Sequence, residues 1–478
     1  MKHYYQNANF RSGLERELSV FYACQLLVVL VLVVYVYLTR QWALTMAIQF
    51  LVISPWIVFL ILRQPLLLYH IDPYMILSFA LWMHVPFLLF KMSISGGIQS
   101  EDILVKAVIL ILIGFGSLCA GLCIQINMAE FHKCPDINSK KIFLAGVISL
   151  LMSIPLRIYS NSFIGFKETP VFLNYLLVFA VPAVGFLLVA FISQKSTITL
   201  VLLCMATLSV LLDTSRRALA TIAFIYLFVW FFVLLRKHYG RLPRQTLAWI
   251  LLFAVVVFFG AIARRAQTRA SVREDGFKGD FADNLHRIRD LNTIPNLLYA
   301  IEIYPAYFPF EKGQTILALL INPIPRPLWS NKPPSMSSII AFRQNGYYGQ
   351  IDYTTEEWKN IGRSSFSVTF IGEMWANFGW LGVLLGPFVL AVIARYLESR
   401  FTISRLGCLS PLYMGTLAGA IVIQHRGDLI CANYYLMCVL LFGTGTLLAI
   451  SMITPKFGRT IQNLSSTISM GKLSCLRK

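Results

Sequence analysis

The sequence predicts an all-α, polytopic helical membrane protein, and three observations carry that prediction. Apolar residues come in long, almost uncharged runs close to the about 20 residues that cross a bilayer. Charge is scarce: 13% of the 478 residues are charged and 57% are hydrophobic, where a soluble domain carries about 25% charged residues. Basic residues, finally, sort onto one side when the runs are threaded back and forth.

About twelve candidate spans follow from the apolar runs. They lie roughly at 19–38, 43–62, 74–91, 103–125, 142–159, 171–192, 197–212, 218–235, 247–263, 379–397, 411–424 and 430–452. Pro55, Pro86, Pro155 and Pro182 fall inside runs. They do not veto these spans, because neighbouring helices can satisfy the freed backbone groups. The first run is longer than a signal-peptide core and no small-residue cleavage site follows it, so it reads as a retained helix. The chain then divides into a transmembrane region of about nine spans (1–263), one long extracytoplasmic loop (264–366), a re-entrant or amphipathic segment followed by three spans (367–452), and a basic tail (453–478).

The net charge is +19. In a soluble protein it would suggest nucleic acid; here the positive-inside bias accounts for it, and no nucleic-acid partner is expected. With the N-terminus inside, the short inside segments and the tail collect most of the Lys and Arg. The long loop is excluded, because long loops report orientation poorly. Both termini are therefore expected in the cytoplasm and the long loop outside. That loop is too apolar and aromatic for a disordered linker. Helical spacing over Asp283–Ile303 is expected to break at Pro295, and Thr315–Pro323 is apolar enough to dip into the membrane.

Several chemistries lack their motifs. There is no GxxxxGK[ST] phosphate loop, no HExxH helix, no GxSxG elbow and no tight Asp-x-Asp pair. This argues against ATP-driven pumping, zinc hydrolysis and metal-dependent use of nucleotide sugars, and no metal or cofactor is expected. None of the nine cysteines falls in a loop assigned outside. Cys119 and Cys123 share a helix face but read as small apolar filler.

Three charged clusters remain. "LLDTSRRALAT" holds Asp213, Arg216 and Arg217 at a membrane edge. Guanidinium forks suit phosphate oxygens, so this pair matches a lipid diphosphate. Snorkelling to headgroups, or pairing with Asp213, is the competing reading. "IQHRGDL" holds His425, Arg426 and Asp428 on the same side by the expected topology. His425 is a candidate general base, against a purely structural role. The third cluster is the long loop and its exit. It includes Arg264, Arg265 and Arg269, then Arg326 and Lys332 in a Pro-rich stretch, then Glu373 in an apolar, aromatic segment. A desolvated carboxylate there suits proton abstraction from a sugar hydroxyl; an ion pair with a nearby arginine is the alternative. Loop aromatics (Tyr304, Tyr307, Phe308, Trp329, Tyr347, Tyr348, Trp358) either stack on sugar rings or form the loop's own core.

On "NPIPRPLWSNKPP", on "SSFSVTFIGEMWANFGWLGVLLGPF", and on the order of many spans, one late external loop and a few final spans, the sequence resembles the bacterial oligosaccharide repeat-unit polymerases, or O-antigen polymerases. The resemblance covers about residues 200–430; the first half matches only in architecture. It implies a GT-C-like membrane glycosyltransferase at the outer face of the bacterial inner membrane. Such enzymes join oligosaccharide units carried on undecaprenyl diphosphate, without nucleotide sugar or metal, often beside a chain-length regulator protein. Leaving-group charge then needs fixed cations. Arg216, Arg217 and Arg426 are the first candidates, with Arg264, Arg265 and Arg326 behind them, and Glu373 or His425 as base. The nearest alternative is an O-antigen ligase, which shares architecture and donor. A flippase or transporter would show paired repeats, which this sequence lacks, and a membrane scaffold would not need the arginine clusters.

Overall fold

The computed structural model describes residues 8–63, 67, 69–86, 100–124, 138–162, 179–211, 216–237, 293–321, 324, 329, 332–346, 368–401, 406–427, 429–450 and 452. Among them there is no strand: the molecule is all-helical. In chain order the main helices are α1 (Ala8–Thr39), α2 (Trp42–Arg63), α3 (Asp72–Phe79, continued by a π turn Ala80–His84), α4 (Glu101–Leu122), α5 (Ser139–Ser162), α6 (Ala180–Gln194), α7 (Thr197–Leu211), α8 (Arg216–Lys237), α9 (Ile294–Ile303), α10 (Gln314–Ile321), α11 (Met336–Gln344), α12 (Phe370–Phe378), α13 (Trp380–Arg400), α14 (Ser410–Arg426) and α15 (Leu429–Cys438, continued by a π turn Val439–Gly443). Six described stretches are long and apolar enough to cross a membrane: Glu17–Thr39, Trp42–Ile61, Glu101–Leu122, Trp380–Arg400, Gly407–Arg426 and Asn433–Ile450. This is a helical membrane protein. The apolar run at 247–263 lies outside the described residues, as do 87–91 and 171–178 of two others.

Side-chain pairs define two ends of the bundle. At the upper end Arg40 bonds Asp102 at 2.7 Å. At the lower end Tyr22 donates to Asp72 at 2.7 Å and Arg395 donates to the Leu122 carbonyl. Thus α1 rises, α4 descends beside it, and α13 descends against α4.

Small residues set these crossings, as expected where lipid removes the hydrophobic drive between helices. A Cβ on Gly121 would meet the Phe388 carbonyl at 2.6 Å. Pro387 interrupts α13, and Ser117 of α4 repairs the backbone beside it. Its hydroxyl donates to the Leu384 carbonyl and accepts the Phe388 N–H at 3.1 Å. Those two backbone groups are i and i+4 partners, so the serine is inserted into the helix ladder.

The α12–α13 corner explains the glycines of "GWLGVLLG". Gly379 has φ +60, a left-handed conformation that suits glycine. A Cβ on Gly382 would lie 2.1 Å from the Met374 carbonyl, and one on Gly386 2.5 Å from the Met374 sulfur. α12 therefore folds back flat onto α13. Phe370 to Asn377 are all buried, so the segment expected to be re-entrant or amphipathic is enclosed by protein. Pro295 sits in the first turn of α9, where its missing N–H leaves no bond unmade. Residues 283–292 lie outside the described set.

Candidate functional site

Glu373 is completely buried in α12. Its carboxylate is gripped on both oxygens. Thr315 of α10 donates to Oε1 at 2.8 Å, and the Leu429 backbone N–H, at the start of α15, donates to Oε2 at 2.7 Å. One turn along α12, Asn377 extends the network. Its Nδ2 donates to Thr315 Oγ1 at 2.7 Å and to the Glu373 carbonyl at 2.8 Å, while its Oδ1 accepts the Gly313 N–H at 3.0 Å. Thr315, itself fully buried, thus passes a hydrogen bond from Asn377 to the carboxylate. The network fixes the plane and rotamer of Glu373 between α10, α12 and the α14–α15 turn.

That turn carries Arg426, three residues before Leu429. Its guanidinium lies over the Trp82 ring, 5.5 Å from the centroid, at the top of α3. α8 runs antiparallel to α14. A Cβ on Gly415 would meet Ile225 Cα at 2.6 Å, and one on Gly419 would meet Thr221 Cα at 3.1 Å. The helix start at Arg216 and Arg217 therefore lies at the upper end, where α14 ends in Arg426. Their side chains lie outside the description, as do Arg264, Arg265, Arg326 and Asp428 altogether.

His425 does not share the surroundings of Arg426. α14 continues through Arg426 without a break, so consecutive side chains point about 100° apart. His425 is turned inward and fully buried. Its Nδ1 is 2.7 Å from Ser78 Oγ of α3, and its ring packs edge-on against Phe79. It acts as a link between α14 and α3, not as part of the Arg426 surface.

The loop aromatics divide. Tyr304 is fully buried and donates to Glu311 Oε1 at 2.8 Å, and its carbonyl accepts the Trp375 indole N–H at 3.2 Å. Burial, with the neighbouring Glu311 charge, pushes the Tyr304 phenol far up. Phe308 is buried beneath the Arg343 guanidinium. Tyr307 and Trp329 are exposed, and Tyr347, Tyr348 and Trp358 lie outside the described residues. Lys106 of α4, which sequence reasoning had not singled out as a site residue, holds its ammonium 4.3 Å from the centre of the Trp375 ring. The i, i+4 spacing of Glu373 and Asn377 was the one local signal that could have found the network. Thr315 gave none.

Among the described residues no three or more His, Cys, Asp or Glu side chains gather as a metal set. Comparison with family models, with curated proteins and with solved structures finds no match to this chain.

Proposed function

We propose that this chain is a membrane glycosyltransferase that polymerises undecaprenyl-diphosphate-linked oligosaccharide repeat units into a surface polysaccharide. In this reading it has about twelve spans in a GT-C-like arrangement, sits in the bacterial inner membrane with both termini cytoplasmic, and turns its upper end to the outer face. One observation carries the reading. The buried Glu373 carboxylate is bonded to the backbone of the turn that bears Arg426, at the end of the bundle where α8 begins with Arg216 and Arg217.

The chemistry needs those two elements together. The acceptor sugar hydroxyl attacks the anomeric carbon of the growing glycan and its oxygen bonds there. The bond from that carbon to the diphosphate oxygen breaks, and the electron pair leaves with the lipid diphosphate. The hydroxyl proton passes to the base. Arg426, Arg216 and Arg217 would stabilise the developing charge on the leaving group. Glu373, with its plane set by Thr315 and the Leu429 N–H, is the favoured base. His425 is assigned to packing because its ring is sealed against Ser78 and Phe79.

The test is reconstitution of the purified full chain with lipid-linked repeat units. Lengthening of the lipid-linked glycan is the expected result. Transbilayer movement without lengthening would replace the reading with a transporter, and transfer of finished glycan to lipid A core would replace it with a ligase.

A further inference from the structure

The lower end of the bundle holds a second polar cluster, built from segments far apart in the chain. Tyr22 of α1 donates its hydroxyl to Asp72 Oδ2 at 2.7 Å. Arg395 of α13 lies 3.5 Å from the same oxygen and also donates to the Leu122 carbonyl at the end of α4. One turn further along α13, Glu398 Oε1 lies 2.7 Å from His70 Nδ1, in the connection before α3. The Asp72 and Glu398 side chains are each 3% exposed, whereas His70 is 38% exposed. The other titratable groups facing the cluster among the described residues are Tyr22, Cys119 and Cys123. All three are uncharged types at neutral pH.

Among the described residues the charges of the cluster do not balance without a proton. Asp72 and Glu398 are two carboxylates, and Arg395 is one permanent cation. Asp72 Oδ1 has no hydrogen-bond donor among the described residues, so within that set the surplus negative charge has no second outlet. Ionisable groups inside a membrane bundle are costly and default to function, and an uncompensated buried charge is neutralised by binding a proton. His70, the cluster's one side chain with substantial exposure, is the place where that proton enters.

We infer that the lower cluster is a proton-binding site, in which a proton held by His70 and shared with Glu398 closes a clasp between the start of α3 and the end of α13. The inference does not depend on the transferase reading. Burial alone would lower the His70 imidazole, but the hydrogen bond and charge of Glu398, with Asp72 behind it, reverse the sign and raise it. Folded-state stability from the clasp is therefore full below the unfolded imidazole value, about 6.5, and is lost as pH rises through the higher folded value. The two clasped helices reach the upper end. α13 carries α12 and Glu373 on Gly382 and Gly386, and α3 holds His425 through Ser78. Protonation at one end thus acts on helices that frame the other.

The experiment uses the full chain in lipid nanodiscs. Diethylpyrocarbonate modifies neutral imidazole, so its rate at the His70 peptide, read by mass spectrometry against pH, reports that proton. The expected wild-type midpoint lies above about 6.5 and drops in Glu398→Gln. A wild-type midpoint at or below that value overturns the proposal, even if Glu398→Gln does not fold. In the second measurement the wild-type melting temperature is expected to fall by about 2 °C or more between mildly acid and mildly alkaline pH, with His70→Asn flat. His70→Asn following the wild-type curve also overturns it.

Discussion

Two buried carboxylate sites at opposite ends of one bundle are held in different ways. At the upper end Glu373 receives a threonine hydroxyl and a backbone N–H. At the lower end Asp72 and Glu398 are matched by a guanidinium and an imidazole. Among the described residues, the upper carboxylate is oriented by a hydroxyl and a backbone N–H that fix its plane, and the lower pair joins two helices and a connection through charged side chains. On the proposed transferase reading the upper carboxylate does chemistry while the lower pair holds helices together, and substitutions at each end should separate activity from stability.

The largest effect is expected at the upper end. Glu373→Gln keeps shape but sets a new N–H donor against donors that Thr315 and Leu429 already supply. Loss of a general base typically costs 10²–10⁴-fold, so the reconstituted polymerisation rate should fall to about 1% or lower with the fold retained. Polymer ladders of normal length from this variant would remove Glu373 from the mechanism. At the lower end the effect moves to stability. Arg395→Met leaves Asp72 buried without its cation, and breaking a buried pair this way costs about 3–5 kcal/mol. Thermal unfolding in nanodiscs reads it. A melting temperature within a degree of wild type would show that α13 and α3 do not need this pair.

Much of this architecture was legible in the sequence, because a membrane-spanning helix is specified by a local run of apolar residues. The runs at 43–62 and 103–125 correspond closely to Trp42–Arg63 and Glu101–Leu122. The shared end of Arg216 and Arg426 was also readable, since it follows from counting crossings. What stayed hidden depends on side-chain direction or on distant partners. His425 sits one residue from Arg426 yet points into α3, and only helix rotation decides that. Thr315 lies 58 residues before the carboxylate it bonds. His70 and Glu398 are 328 residues apart, and neither stands in a local pattern. The glycines of the α12–α13 corner were visible in the sequence, but not the carbonyl that Gly382 must clear.

A gentler substitution sharpens the comparison. Thr315→Val is nearly isosteric and deletes the hydroxyl that both accepts from Asn377 and donates to Glu373. Each partner loses a buried hydrogen bond, a cost of about 1–3 kcal/mol. If the network positions the carboxylate, the rate should drop by about tenfold or more, and Thr315→Ser should restore it. If it only stabilises the fold, the melting temperature should fall while the rate per folded molecule holds.

The smallest effect belongs to an ion pair that resembles the lower cluster on paper. Arg40 and Asp102 meet at 2.7 Å, closer than Arg395 and Asp72, but their side chains are 47% and 83% exposed. Water screens the attraction and already solvates both charges, so such pairs contribute about 0–1 kcal/mol. Arg40→Ala is therefore expected to leave both melting temperature and polymerisation close to wild type. A drop as large as that of Arg395→Met would mean that Arg40 is enclosed in the working protein, and that distance rather than burial separates the two pairs.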